Sequence, residues 1–194
     1  DRNALTFKEF EELHRRRYGV TRTDLNKRFL TDISRSDRVL EVGCNIGNQL
    51  LCLQRMGFSH LFGIELQNYA VELSKRRTSG INIIHGSGFN IPFKDNSFDL
   101  VCTSGVLIHI QPAHIIDVLK EIYRCTRKYI WGFEYWANEW TEILYHSRQN
   151  LLWKADYARM YLELFNDLTV IKEEKLKYTD TNNMDSMYLL RKKL

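Results

Sequence analysis

The chain has 194 residues, 44% hydrophobic and 27% charged, enough for one domain with a sizeable core and too few for two comfortable ones. No apolar run approaches the roughly 20 residues of a membrane helix, and ten glycines with two prolines leave no Gly-rich or Pro-rich linker. The net charge of +4 is mild, and the short basic clusters at Arg15–Arg17, Lys75–Arg77 and Arg191–Lys193 read as solvated helix faces or chain ends.

The first 30 residues read as one or two amphipathic helices carrying Phe7, Phe10 and Leu13. Arg38 to Val42 is the first strand. A helix from Gly47 to Met56 follows, with Leu50, Leu51, Leu53 and Met56 as its apolar stripe and Gly57 as its stop. His60 to Leu66 is the second strand, and Asn68 is placed to cap a helix over Tyr69 to Thr78. Ile81 to His85 and Phe98 to Thr103 are the third and fourth strands. Pro112 suits the first turn of a helix ending near Thr126, where its missing N–H costs nothing. Lys128 to Glu134 is the fifth strand, with Tyr129, Trp131 and Phe133 on one face.

Strands alternating with helices imply right-handed βαβ units and a parallel sheet. A helical stretch is expected from about Glu139 to Phe165, with Tyr157, Met160, Tyr161 and Leu164 facing the core. Thr169 to Lys177 and Ser186 to Arg191 then read as a terminal hairpin around Asp180, Asn182 and Asn183. The expected organisation is a single domain over 1–194: an N-terminal helical cap (1–30), a ligand-binding core (38–134), a helical insertion (139–165) and the hairpin (169–194).

The strongest chemical signal is Val39-Leu-Glu-Val-Gly-Cys-Asn-Ile-Gly-Asn48, a strand, a tight glycine turn and a helix start. In an open α/β sheet ligands bind beyond the carboxyl ends of the strands, near this turn. Gly43 removes the Cβ between backbone and ligand, and Gly47 lets the helix begin close to the strand. Glu65 ends the second strand, 22 residues after Gly43. A carboxylate there can accept from both ribose hydroxyls of an adenosine. The turn lacks the G-x-G-x-x-G that a dinucleotide pyrophosphate requires, which sets NAD behind other adenosine ligands.

Gly86-Ser-Gly-Phe-Asn-Ile-Pro-Phe93, then Asn96-Ser-Phe-Asp-Leu-Val101 and Gly105-Val-Leu-Ile-His-Ile110 resemble the adenine-side and post-strand segments of class I S-adenosylmethionine-dependent methyltransferases. The resemblance runs from about Arg38 to Leu194. It implies a doubly wound, seven-stranded, mostly parallel Rossmann-like sheet closed by the antiparallel hairpin. It also implies S-adenosyl-L-methionine as cofactor, with S-adenosyl-L-homocysteine as product. The implied contacts are Glu41, Gly43, Cys44, Asn45, Gly47, Asn48, Glu65, Leu66, Gly86, Ser87, Gly88, Phe89, Ser104, Gly105 and Val106. Two positions depart from the family. Asn45 stands for the middle glycine, and asparagine tolerates left-handed backbone better than other side chains. Ser87 stands where an acid commonly sits beside adenine.

Glu41-Val-Gly-Cys-Asn-Ile-Gly-Asn48, Gly63-Ile-Glu65, Gly132-Phe-Glu-Tyr135 and Asn150-Leu-Leu-Trp-Lys154 further resemble the pseudaminic acid biosynthesis-associated methylases. That resemblance implies a sugar, nucleotide sugar or related small acceptor from bacterial surface glycan synthesis. On the acceptor side, His109 and Glu134 are the candidate catalytic groups. Tyr135, Trp136, His146, Arg148, Trp153 and Lys154 are the candidate acceptor contacts. No HExxH and no His/Cys cluster is present in the sequence, so no metal is expected. Asp1 to Phe10 lack a secretory leader pattern, and Cys44, Cys52, Cys102 and Cys125 match no disulfide or zinc framework, so a cytoplasmic setting is expected, with no membrane partner. Two other readings remain: an RNA methyltransferase, although nucleic acid is the less expected partner, and a non-catalytic S-adenosylmethionine-binding subunit.

Overall fold

The structure is a computed structural model that describes residues 5–144 and 148–193. Its order is α1 (Phe7–Tyr18), α2 (Arg22–Phe29), β1 (Arg38–Val42), α3 (Asn48–Arg55), β2 (His60–Glu65), α4 (Asn68–Arg77), β3 (Asn82–His85) and β4 (Phe98–Ser104). Then come α5 (Ile115–Cys125), β5 (Thr126–Tyr135), β6 (Thr141–Glu142), β7 (Trp153–Lys154), α6 (Tyr157–Leu164), β8 (Leu168–Lys177) and β9 (Met184–Lys192).

Seven strands form one sheet in the order β3-β2-β1-β4-β5-β9-β8. All neighbours from β3 to β5 pair parallel, and β9 runs antiparallel between β5 and β8. The expected doubly wound sheet with its terminal hairpin is therefore the fold. Strand order reverses between β1 and β4, which opens a crevice beyond their carboxyl ends.

Side-chain alternation divides the core into two layers. Leu40, Val42, Val101 and Ile130 face α5 and α6, together with Val118, Leu119, Tyr157 and Tyr161. Val39, Leu100, Cys102, Trp131 and Phe133 face the other layer, with Leu25 and Phe29 of α2 and Leu50 and Leu53 of α3. Gly132 of β5 is required by packing. A Cβ there would lie 2.0 Å from the ring of Tyr188 on β9.

The N-terminal cap is well terminated. Thr6 and Glu9 form a capping box at the start of α1, and Gly19 ends that helix in left-handed backbone. Thr21 caps α2 by accepting from the Asp24 N–H. Asn68 does not cap α4 as expected. It is the first helical residue, Gln67 precedes it without a side-chain cap bond, and the Gln67 N–H is taken by Glu65.

The long helix expected over 139–165 is also corrected. Its first half is a two-stranded ladder in which Thr141 and Glu142 pair with Lys154 and Trp153. The helix begins only after Asp156, whose side chain accepts from the Arg159 N–H. Burial of Leu152, just before β7, and of Trp153, its first residue, explains the extended path: tertiary packing overrides helical periodicity. Among the described residues no helix is long and apolar enough to cross a membrane.

Candidate cofactor pocket and acceptor side

A pocket of about 590 Å³ lies beyond the carboxyl ends of β1, β2 and β4, at the crevice where strand order reverses. Its walls include Gly43, Asn45, Glu65, Leu66, Gly86, Ser87, Gly88, Phe89, Ser104, Gly105 and Val106, all named from sequence. Gly43 has φ +72°, and a Cβ there would meet Val106 Cγ2 at 2.6 Å. Glycine thus lets the loop after β4 close onto the turn after β1. Asn45 holds φ +47°, so the turn keeps its left-handed step without the family's middle glycine.

Glu65 is 9% exposed. Its Oε2 accepts from the Asn45 N–H and its Oε1 from the Gln67 N–H, each at 2.9 Å. Two backbone donors fix the carboxylate, and each oxygen retains acceptor capacity toward the pocket. Leu66 and Phe89 are 64% and 47% exposed, unusual for large apolar side chains lining a pocket, and they provide apolar surface for a flat ring. The Ser87 hydroxyl accepts from the Phe89 N–H at 3.2 Å, which orders the loop as well as leaving a polar group near that ring. Adenosine fits this donor and acceptor set: a fixed carboxylate for vicinal hydroxyls, apolar walls for the base and a Cβ-free turn beside them.

Four expected contacts are absent from the pocket wall. Glu41 and Cys44 are buried; Glu41 lies between its strand neighbours Leu40 and Val42, which face the α5 layer, so its side chain points to the opposite layer. Cys44 packs under β2, 2.6 Å from where a Gly63 Cβ would be. Gly47 is the left-handed cap of α3. Asn48 is tied down by Arg77, which donates to its Oδ1 at 2.9 Å. The motif includes these residues because they build the turn. Conversely, Val42, Gln67, Tyr69, Ile110 and Val118 also line the pocket and were missed. Gln67 lies in the short connection after β2 and Tyr69 in the first turn of α4, so their closeness to Glu65 in the chain was the available signal.

The candidate catalytic pair separates. His109 lines the pocket, and its Nδ1 lies 3.1 Å from the Leu151 carbonyl oxygen. A carbonyl only accepts, so Nδ1 carries the proton and the neutral ring's lone pair sits on Nε2. Glu134 is not on the wall. It is buried, and accepts from the Val106 N–H at 2.9 Å. Burial pushes its carboxyl up to about 7, against the pull of donors from Thr103 and from the backbone of Val106, Leu107 and Ile108. Glu134 therefore anchors the loop that carries Val106 and His109.

Among the described residues, none of the candidate acceptor contacts lines the pocket. Tyr135 packs edge-on to Tyr178. Trp136 lies under the Lys175 ammonium, 4.5 Å from the ring centre. Trp153 is buried, and the Lys154 ammonium donates to Asn183 Oδ1 in the hairpin turn. Arg148 is exposed, and His146 lies outside the described residues. Tyr135, Trp136 and Lys154 are engaged with the hairpin residues Tyr178, Lys175 and Asn183, contacts between distant positions that periodicity could not reveal.

With fold and pocket defined, the comparisons agree. Residues 40–129 match the family described as a methyltransferase domain. A demethylmenaquinone methyltransferase of Geobacillus sp. (strain WCH70) is 31% identical over 119 residues, covering 58% of this chain and 49% of that protein. The chain spans about half the length of the curated relatives it matches. An S-adenosylmethionine-dependent methyltransferase of Methanosarcina mazei superposes with TM-score 0.68 at 17% identity, over 84% of this chain and 96% of that one. The Burkholderia thailandensis 1,6-didemethyltoxoflavin-N1-methyltransferase, solved with bound 1,6-didemethyltoxoflavin and S-adenosylhomocysteine, gives TM-score 0.71 at 13% identity, over 88% of this chain and 77% of that one. Residues 40–129 are thus similar to a methyltransferase domain, and the fold is the one that these solved methyltransferases share.

Proposed function

We propose that this protein transfers a methyl group from S-adenosylmethionine to a small-molecule acceptor, a sugar or nucleotide sugar. The observation that carries the first part is Glu65, fixed by two backbone N–H groups beside the Gly43 turn. The domain match and the small-molecule methyltransferases among the similar proteins support the reaction class. The sugar-like acceptor rests on the likeness of the Gly132–Tyr135 and Asn150–Lys154 segments to the pseudaminic acid-associated methylases.

When bound, the cofactor supplies an electrophilic methyl on a sulfonium. The residues of this chain supply position and proton transfer. Glu65 would accept from the ribose hydroxyls, and Leu66 and Phe89 would offer apolar surface to the adenine. The left-handed turn through Gly43 and Asn45 brings backbone against the cofactor where a side chain would obstruct it. His109 is the base for a hydroxyl acceptor, its Nδ1–H held by Leu151 so that Nε2 takes the proton. Glu134 positions His109 by anchoring the turn that bears it. Alignment of acceptor and methyl is the larger part of the rate gain in such a displacement.

Incubation with S-adenosylmethionine and a panel of acceptors, read by mass spectrometry, tests this. The expected result is gain of one methyl on a nucleotide-linked or free sugar, with His109→Ala slowing O-methylation by about a hundredfold. Methylation of RNA alone, with strongly salt-dependent binding, would replace the small-molecule reading.

A further inference from the structure

Beside the β6–β7 ladder lies a further cavity, of about 260 Å³, that the adenosine site does not use. Thr141 pairs with Lys154, so the antiparallel register sets Trp140 opposite Ala155 at the end of the ladder. Both line the cavity, and α6 supplies another wall through Arg159, Met160 and Glu163. Ala155 is small, which leaves room beside the indole. Trp140 is 38% exposed, and its ring meets the buried Tyr157 edge-on, 6.0 Å between centres. A large apolar ring is thus held in place, yet it keeps surface open toward a cavity instead of the core.

The polar groups around the ring come in opposite pairs. Arg159 Nε donates to Glu163 Oε1 at 2.7 Å, and Asp156 Oδ2 lies 3.8 Å from the Lys175 ammonium. Glu139 adds a further carboxylate to the lining. Donors and acceptors therefore stand side by side on a wall of nearly balanced charge. Their complement is a set of neighbouring hydroxyls, each of which both donates and accepts. The Arg159–Glu163 pair is exposed on both sides, so turning its groups toward a ligand costs little. An apolar platform with such a rim fits a sugar ring, whose C–H face lies on the indole while its hydroxyls reach the pairs. The cavity is smaller than the roughly 300–1,000 Å³ of a drug-sized ligand site, which suits a single ring.

The chain joins this cavity to the cofactor pocket. His109, on the pocket wall, has its Nδ1 3.1 Å from the Leu151 carbonyl oxygen. Ala155 follows Leu151 through β7, over a stretch that spans no more than about 14 Å. A short glycan with one unit before His109 and another on Trp140 covers that distance.

We infer that Trp140, with Glu139, Arg159 and Glu163 around it, forms a carbohydrate-binding site that takes a sugar unit next to the one methylated. Its place on the acceptor's path rests on the sugar reading above; the site itself rests on the cavity.

Binding measured apart from methyl transfer tests this. Protein saturated with S-adenosylhomocysteine is titrated with the methyl pyranosides of glucose, galactose, rhamnose, N-acetylglucosamine and N-acetylgalactosamine, and with choline. Saturation-transfer NMR and tryptophan fluorescence follow the titration. At least one pyranoside should bind wild type. Trp140→Ala should weaken that binding by about tenfold or more, and Glu163→Gln by about threefold to tenfold, the values of ring stacking and of one hydrogen bond. S-Adenosylhomocysteine affinity should not change in either, and Trp140→Phe should keep part of the sugar binding. If Trp140→Ala does not fold, the Phe and Gln variants carry the test. No pyranoside binding by folded wild type, or equal binding in the folded variants, overturns the inference. Choline bound in preference to every pyranoside also overturns it, because the cavity is then a cation site. Pyranoside binding at Trp140 without methylation of any sugar leaves the carbohydrate site standing and overturns the sugar-acceptor reading instead.

Discussion

The carboxyl edge of β1, β2 and β4 and the segment from Tyr135 to Lys154 are built on opposite plans. At the first, backbone makes the site: left-handed turns at Gly43 and Asn45 and two main-chain donors on Glu65. At the second, short strands and side chains bridge to the terminal hairpin, and Arg148 and the β6 residues stand exposed. A shared cofactor needs one fixed geometry, so that edge follows a sequence motif. The second region is built from contacts between distant positions, which no local motif records.

Substitutions should divide along this line. The largest effect is expected at Gly43→Val, which adds a Cβ 2.6 Å from Val106 at a positive φ; S-adenosylhomocysteine affinity should fall by about a hundredfold or more. Gly132→Ala would drive a methyl into the Tyr188 ring on the shared sheet. Thermal or urea unfolding should show a loss of about 1–3 kcal/mol, because overpacking forces the core to shift.

Glu134 sharpens the comparison through pH. Its folded-state carboxyl is raised to about 7 by burial, above the ordinary value near 4.5. The stability it confers is complete below the unfolded value and is lost as pH rises through about 7. The fall in wild-type thermal midpoint over that range should therefore be shallower in Glu134→Gln. An equal slope in both proteins would remove Glu134 as the titrating anchor. The smallest effect belongs to Lys154→Ala. Its bond to Asn183 is exposed, so stability should change by less than about 1 kcal/mol and cofactor affinity not measurably. A large loss of cofactor binding in this variant would join the two regions that the structure separates.

The same contrast explains what could be read from the amino-acid order. Alternating strand and helix patterns gave the parallel sheet, and the Asn182–Asn183 loop gave the hairpin, because both are local signals. Gly43 and Glu65 were legible because the turn chemistry demands those residue types at that spacing, and Gly86 to Phe89 through their likeness to the adenine-side segment of class I methyltransferases. Glu41, Cys44, Gly47 and Asn48 belong to the same motif, yet strand alternation and helix capping turn them away from the wall. The β6–β7 ladder was hidden because its apolar residues also fit a helical period, and only burial of Leu152 and Trp153 decides between the two. The burial of Arg22 had no signal at all. That residue lies in an amphipathic helix of ordinary charge, and its place against Phe133 and Ser104 follows from tertiary packing alone.

The central claim is that Glu65 and the Gly43 turn hold the adenosine of S-adenosylmethionine. Calorimetric titration of S-adenosylhomocysteine into wild type and Glu65→Ala tests it most directly. The account predicts clear wild-type binding and a loss of about tenfold to a hundredfold in the variant, the value of hydrogen bonds to a charged group. Equal affinity in the two proteins, or no binding by folded wild type, would contradict it.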